Sequence, residues 1–547
     1  EMMSVCIAEN VPPEYAPMMR EELGFVDRQP CWSPSRPAQA DDFPVLIAGA
    51  GESGIVMAAN LQKLGIPFLI VEKNKSFGGT WLENTYPGCG VDTPNFAYSF
   101  SFGERYPWSR CFANQPEILD YFVRTAKSLD LEKNTWFGST VRACSWDAAG
   151  ATWRVQIDRG GNTTTVTARA LVSAVGQLNE PSVPRIPGID RFDGPIFHSS
   201  SWPAGLDVSD KRVAVVGTGA SAMQIVPAIV DEVNALTVFQ RSPQWVRPIP
   251  RYKDPIKPGA RWLLDHVPYY AEWVRFSMFW RYGDGLLPTL RRDPDWPHPE
   301  RAMNRQNDRH RQQMTDHILA ELADRPDLIA ACLPTYPAYG KRILLDNGWF
   351  SAIRKDHVKV VAGGVGEITE AGLADENGDH HAADIIVLAT GFKVGRLAAR
   401  LNITGLGGRT LEEAWADDDP RAYLGISVSG FPNLFVMQGP NTGLGHGGSA
   451  IFQSECQARY IAKCIMRLIG TGSDYLDVKS QAEVAYTARV DAEHADLIWS
   501  HPGMSTYYRN SRGRVVSVIP WRLVDYWQMT EEPDADDYEF GSAQSGG

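Results

Sequence analysis

At 547 residues, with 44% hydrophobic and 22% charged side chains, the chain is too long for one compact module and too apolar for a disordered polyampholyte. Its 65 acidic residues against 53 basic ones give a formal charge of −12, the wrong sign for a protein held on a phosphate backbone, so no nucleic acid partner is expected. Apolar runs stay short of the roughly 18 residues that a membrane span needs, and the 8 cysteines form no CxxC pair, so the expectation is a cytoplasmic protein with no transmembrane segment, disulfide framework or metal site.

Residues 1–42 hold six prolines within their first forty positions and no sustained period, and read as an extension lying on the surface or partly disordered. The fold proper starts at Phe43. Residues 45–48 form a short apolar run that stops at Gly49, residues 55–64 carry helical spacing up to Gly65, and residues 68–71 form another buried run. That is a strand, glycine turn, helix, strand unit of parallel type. A hairpin follows, 153–157 with 163–167 around Gly160 and Gly161, and then a further strand at 170–175.

The same grammar returns with 212–216 as strand, 217–222 as turn, 223–233 as helix and 236–239 as strand. From about 250 to 339 the text becomes aromatic-rich and helical, including a polar helix at 301–325, and reads as an insertion. Residues 358–361 and 385–390 restore strands, residues 434–437 feed a glycine-rich loop at 439–448, and 531–547 read as an acidic, flexible tail.

Gly49, Gly51 and Gly54 stand in GxGxxG register between strand and helix, where a pyrophosphate can rest on backbone N–H groups. Glu72 closes the next strand, where its carboxylate suits ribose hydroxyls and repels a 2′-phosphate; the pattern argues for FAD or NAD. The second unit has Gly217, Gly219 and Ala222, with Arg241 and Ser242 at the matching place, where a guanidinium fork suits the 2′-phosphate of NADP(H). The expected fold is therefore α/β, with two Rossmann-like dinucleotide-binding domains. The first takes 43–190 and 385–530, and the second takes 191–384 with the helical insertion.

Phe192, Gly194, His198, Trp202 and Pro203 fit FxGxxxHxxxWP, while Gly78, Gly79, Trp81, Tyr86, Pro87, Gly88 and Asp92 fit [AG]GxWxxxx[FY]P[GM]xxxD. On these two patterns the chain resembles the type I Baeyer–Villiger monooxygenases from about residue 43 to 530. The segment Ala389, Thr390, Gly391 and the loop GPNTGLGHGG are most similar to the 4-hydroxyacetophenone monooxygenase branch. The resemblance implies that Gly49, Gly51, Gly54, Glu72, Thr80, Trp81, Asp92, Tyr98 and the backbone of Val141 hold FAD. It likewise implies that Gly217, Thr218, Gly219, Ala222, Arg241, Ser242, Lys341 and Arg342 serve NADPH. Gly90 departs from the pattern, since many relatives have arginine there.

The implied reaction is oxidation of a ketone by NADPH and O2 to an ester or lactone through an oxygen adduct at the flavin C4a carbon. In it, Arg342 would stabilise negative charge and Asp92 would orient the guanidinium. A flavin N- or S-oxygenase and a catalytically silent dinucleotide-binding scaffold are the alternatives; a monomer and a homodimer are both compatible. For His198 the expected role is structural or gating. Lys341 reads as a phosphate ligand, His446 as a loop residue or a flavin or substrate contact, Cys89 as packing, and the aromatic stretch 262–290 as a cover over a substrate tunnel.

Overall fold

The computed structural model describes residues 1–250, 252–398 and 401–543. Two five-stranded parallel sheets organise it. In the first, the strands run Leu434–Val436, Ala170–Ser173, Val45–Ala48, Phe68–Val71, Thr135–Trp136, with Val45 opposite both Phe68 and Ala170. Val45–Ala48 and Ala170–Ser173 are buried at every position, as expected of short apolar runs that lack alternation and lie between helices. The second sheet runs Val358–Ala362, Ala235–Gln240, Arg212–Val216, Ile385–Leu388, Ile196–His198.

Ile385–Leu388 thus lies beside Arg212–Val216, with Val387 opposite Val215, so the expected division, which gave this strand to the first unit, breaks the chain too early. A run of four buried apolar residues carries no mark of which sheet it joins. The expected hairpin forms between Thr152–Arg159 and Asn162–Ala168. Gly160 and Gly161 take φ of 57° and 84°, the left-handed pair that a two-residue turn between twisted strands requires.

The first forty residues correct the expectation of a loose extension. Helices Met2–Ile7 and Ala16–Glu22 bury Met3, Ile7, Met18 and Met19 in the core of the first sheet. Pro13 and Pro17 occupy first turns, where a missing N–H costs nothing, so these prolines start helical turns instead of breaking them. An ion network pins the segment down. Arg28 donates to Glu21 at 2.9 Å, to Glu22 at 2.5 Å and to Glu455 at 2.7 Å, Glu22 also receives Arg275 at 2.7 Å, and Arg459 reaches Glu21 at 3.2 Å. Glu455 and Arg459 belong to the long helix Ala450–Thr471, and Arg275 to Tyr270–Arg281.

The insertion is divided between the two cores. Phe276, Phe279 and Trp280 join the first, while Met314 and Ile318 of Arg305–Glu321 and Leu328 and Cys332 of Pro326–Cys332 join the second. The tail is also partly structured. Tyr538–Gly541 pairs antiparallel with Tyr475–Val478, and the buried Tyr538 hydroxyl meets those of Tyr460 at 2.9 Å and Ser427 at 3.1 Å. The last four residues, 544–547, lie outside the described residues.

Because the Arg28 side chain is only 5% exposed and faces three carboxylates, Arg28→Met leaves buried charge uncompensated. It should lower unfolding stability by about 3–5 kcal/mol, read as a denaturation midpoint; Lys133→Met, at an exposed pair with Asp130, should leave that midpoint nearly unmoved.

Candidate active site

One cleft of about 1760 Å³ runs between the two sheets and takes in both glycine turns. In the first turn Gly49 has φ of 110°, and a Cβ there would meet the Ala174 carbonyl at 2.7 Å; a Cβ on Gly54 would stand 2.1 Å from the Gly49 carbonyl. Gly54 therefore serves close packing, and it does not line the cleft. Gly51 caps helix Glu52–Leu64 without a side-chain bond, which leaves N–H groups at the helix start for an anion. Glu72 is buried and accepts from Ala50 N at 2.7 Å and Asn74 N at 2.8 Å, so its carboxylate is fixed at the cleft wall.

Thr80 and Trp81 open the short helix Thr80–Glu83, and Trp81 Nε1 donates to the Tyr98 hydroxyl at 2.9 Å. Val141 reaches the cleft from strand Ser139–Asp147 beside a bulge.

The second turn repeats the first. Gly217 has φ of 111° with the Ala389 carbonyl 2.4 Å from where a Cβ would sit, and Gly219 caps helix Ala220–Ile229. Ala222 is fully buried and packs the helix without lining the cleft. Thr218, Arg241, Ser242 and Lys341 do line it. Lys341 Nζ donates to Ser242 Oγ at 2.7 Å and lies 4.9 Å from the Tyr336 ring centroid. Burial, then the charge of Arg241, pushes the Lys341 ammonium below its ordinary pKa, a strain that an anion between the two cations would relieve.

Between the two turns, Arg342 and Asp92 form a bidentate pair: Nε to Oδ2 at 2.6 Å and Nη2 to Oδ1 at 2.7 Å, while Nη1 donates to the Leu444 carbonyl at 3.2 Å. Asp92 raises the guanidinium's already high pKa, so this cation does not lose its proton. Burial pushes the Asp92 carboxyl up, yet the charge and hydrogen bonds of Arg342 prevail and hold it below its usual range. Gly90, at the departure from the resemblance, is held by Gln224, whose amide accepts from Gly90 N at 3.3 Å and donates to Gly90 O at 2.9 Å. A side chain of the second unit thus supports the segment leading to Asp92.

The linker fingerprint does not touch the cleft: Phe192, Gly194, His198 and Trp202 are all absent from its walls. His198 Nδ1 accepts from Ser200 N at 3.2 Å, which leaves Nε2–H to donate to the Gly391 carbonyl at 2.9 Å, and burial lowers its pKa. A Cβ on Gly194 would sit 2.3 Å from the Asp384 carbonyl, and Phe197 meets Trp202 edge-on at 5.2 Å.

His446 also lies outside the cleft. It is fully buried, with neither ring nitrogen hydrogen-bonded among the described residues and Asp284 Oδ1 at 4.0 Å; burial pushes its pKa down to about 4. It is therefore neither a capped loop residue nor a contact of the cleft. Cys89 lines the cleft as a resting thiol, pushed up to about 11 by burial. The aromatic stretch fails as a cover: among the described residues none of 262–290 lines the cleft. It braces the glycine loop from behind instead, since a Cβ on Gly447 would strike the Tyr282 carbonyl at 2.1 Å.

Tyr507 and Tyr508, which the sequence reading missed, line the cleft, with their hydroxyls 3.0 Å apart and both phenols sensing the Arg342 charge. They lie in an irregular segment without period. An aromatic doublet in a polar, glycine-containing loop was the available sign.

The family described as pyridine nucleotide-disulphide oxidoreductase matches residues 46–270. An uncharacterized monooxygenase of Sinorhizobium fredii is 43% identical over 98% of this chain and 81% of its own length. A Baeyer–Villiger monooxygenase of Streptomyces coelicolor is 34% identical over 90% of this chain and 92% of its own. Among solved structures, the complex of OTEMO with FAD and NADP superposes with a TM-score of 0.78 at 26% identity, covering 92% of this chain and 100% of the other. With a glycine cradle in each unit and an arginine–aspartate pair between them, the chain belongs to the Baeyer–Villiger monooxygenase family.

Proposed function

We propose that this protein is an FAD-containing, NADPH- and O2-dependent monooxygenase that converts ketones to esters or lactones. The observation that carries the reading is the Arg342–Asp92 fork in a cleft shared by both glycine turns. Both cofactors suit the residues present: a Cβ would fill either cradle, and both helix starts are free of side-chain caps. Glu72 would receive ribose hydroxyls of FAD, and its negative charge disfavours a 2′-phosphate there. Arg241, Ser242 and Lys341 would take the 2′-phosphate of NADPH.

FAD supplies the redox chemistry with NADPH and O2, placing one oxygen atom in the product and the other in water. The protein's own part is electrostatic. A guanidinium that keeps its proton, in a cleft partly sheltered from water, stabilises negative charge developing on the reacting oxygens. Asp92 prevents that guanidinium from rotating and sets the face it presents. Within the family we place the chain nearest the 4-hydroxyacetophenone branch, supported by the loop sequence 439–448. We place it in the cytoplasm, where its eight unpaired cysteines fit a reducing medium.

Arg342→Ala should cut ester formation from aryl, cyclic and long-chain ketones by about a hundredfold or more, while NADPH still bleaches the flavin under anaerobic conditions. Product mass, read for the gain of one oxygen atom, checks the first and flavin absorbance the second. Undiminished ketone oxidation would overturn the reading, and retained sulfide or amine oxygenation without ester formation by the unmodified protein would favour a flavin N- or S-oxygenase. Arg241→Ala should raise KM for NADPH by about 10- to 100-fold, the loss of a charge-assisted hydrogen bond, and leave KM for NADH unchanged.

A further inference from the structure

The segment of the first unit that leads to Asp92 lies against helix Ala220–Ile229, which begins at the second glycine turn. A Cβ on Gly88, whose φ is 78°, would meet the Gln224 carbonyl at 2.4 Å, so glycine there lets segment and helix approach closely. The Gln224 side-chain amide then bonds the segment at three points. Its Oε1 accepts from the Tyr86 hydroxyl at 3.0 Å and from Gly90 N at 3.3 Å, while Nε2 donates to Gly90 O at 2.9 Å.

Gly90 forms an antiparallel bridge with Asn114: Val91 N donates to the Ala113 carbonyl at 3.1 Å, and Gln115 N donates to the Cys89 carbonyl at 2.9 Å. Along an extended chain the polar groups of successive residues point to opposite edges, so those of Gly90 face away from Asn114, where a further strand would stand. Gln224 takes that strand's place. An amide presents a donor and an acceptor side by side, as a peptide group does, and a carboxylate has no donor to offer. Two residues on, Asp92 makes its bidentate pair with Arg342. The same helix packs against Leu344–Asp346, the strand entered two residues after Arg342. Both halves of the fork thus rest on one helix, and on the Asp92 side Gly88 and Gln224 make the contact.

We propose that Gln224 is a positioning residue for ketone oxidation: its amide holds Gly90, and through it Asp92, against the nucleotide helix, so that the Arg342 guanidinium is presented to the cleft at one angle. This rests on the Baeyer–Villiger reading of the fork. Gln224 moves no proton and needs no contact with the ketone. Without the amide, the N–H and C=O of the half-buried Gly90 lose these partners, and the segment moves to satisfy them elsewhere. A displacement of about 1 Å is enough to cost ~100-fold in a step that depends on placement. Electrons from NADPH are then lost to hydrogen peroxide in place of ester: NADPH, a proton and O2 give NADP+ and H2O2.

Gln224→Met keeps the length of the side chain and removes all three bonds, whereas Gln224→Glu keeps the acceptor, loses the donor and sets an oxygen against the Gly90 carbonyl. In either flavin-loaded variant, ester formed per NADPH oxidised should fall at least about tenfold, with hydrogen peroxide making up the difference, while KM for NADPH and flavin content stay within about twofold. Hydrogen exchange should quicken at least about tenfold in the peptide over 87–92 and stay unchanged over 45–48 and 212–216, where an intact fold is read. Undiminished ester yield in either variant would overturn the role. So would a lower yield with exchange over 87–92 unchanged, or with exchange quickened throughout the protein. An unmodified protein that forms no ester from any ketone would overturn the reading of the fork instead, and quickened exchange confined to 87–92 would still show Gln224 holding the segment.

Discussion

The fork between Arg342 and Asp92 ties together residues 250 positions apart, and the geometry of the whole cleft is set by what brings them within 2.6 Å. Asp92 comes from the first unit, after a glycine that Gln224 of the second unit holds on both its N–H and its C=O. Arg342 follows Lys341, which faces Ser242 at the second turn. Shortly afterwards Leu344 pairs with Val246, so one parallel contact, Val246–Pro248 with Leu344–Asp346, fixes both Arg241–Ser242 and Lys341–Arg342. Two neighbouring cations thereby face different partners, Lys341 toward Ser242 at the second turn and Arg342 toward Asp92. A shift of that short pairing by one residue would disturb both.

The glycine turns were legible in the sequence because Gly49 and Gly217 adopt positive φ with a carbonyl pressed against them, which no other residue tolerates. Glu72, Arg241 and Ser242 were legible as cleft residues because they stand at a fixed distance along the same unit from its glycine turn. What failed has equally physical causes. The prolines of the first forty residues read as breakers, although proline in a first turn starts a helix, and the buried positions that would reveal packing repeat over too few residues. The strand Ile385–Leu388 is apolar on both faces, so periodicity could not assign it to a sheet. Tyr507 and Tyr508 reach the cleft by tertiary placement alone, and the aromatic helix braces a loop where a lining role had been expected.

Buried carboxylates show how strictly compensation decides ionisation here. Glu22 is as deeply buried as any, yet contact with Arg275 and Arg28 overcomes desolvation and holds it down at about 2. Asp284 has two backbone N–H groups at 2.6 and 3.1 Å and the Tyr15 hydroxyl at 2.9 Å, but no cation, and burial lifts it to about 6. Glu52 has two hydroxyls on one oxygen and no partner on the other among the described residues, and burial pushes it up to about 7. Graded by donors, the three acids pass from a permanent anion to a group poised to change its charge, and only the last of them lies on the cleft.

The fingerprint that marks the family does not line the cleft but sits directly behind it, with His198 bonded to the cleft-lining Gly391, where the chain crosses between units. Ile196–His198 forms the outer edge of the second sheet beside Ile385–Leu388, the strand from which the chain returns toward the first unit. The bond from His198 Nε2 to the Gly391 carbonyl closes that return, and Gly194 lets the outgoing linker press against Asp384 at the start of the same strand. Both crossings are thus fastened to each other by residues 194 and 198, whereas the walls of the cleft are built by other residues. A neutral imidazole suits this position: it donates one bond and accepts another without carrying a charge that burial would penalise. The spacing of the fingerprint therefore fastens together the two crossings between the units that carry Asp92 and Arg342.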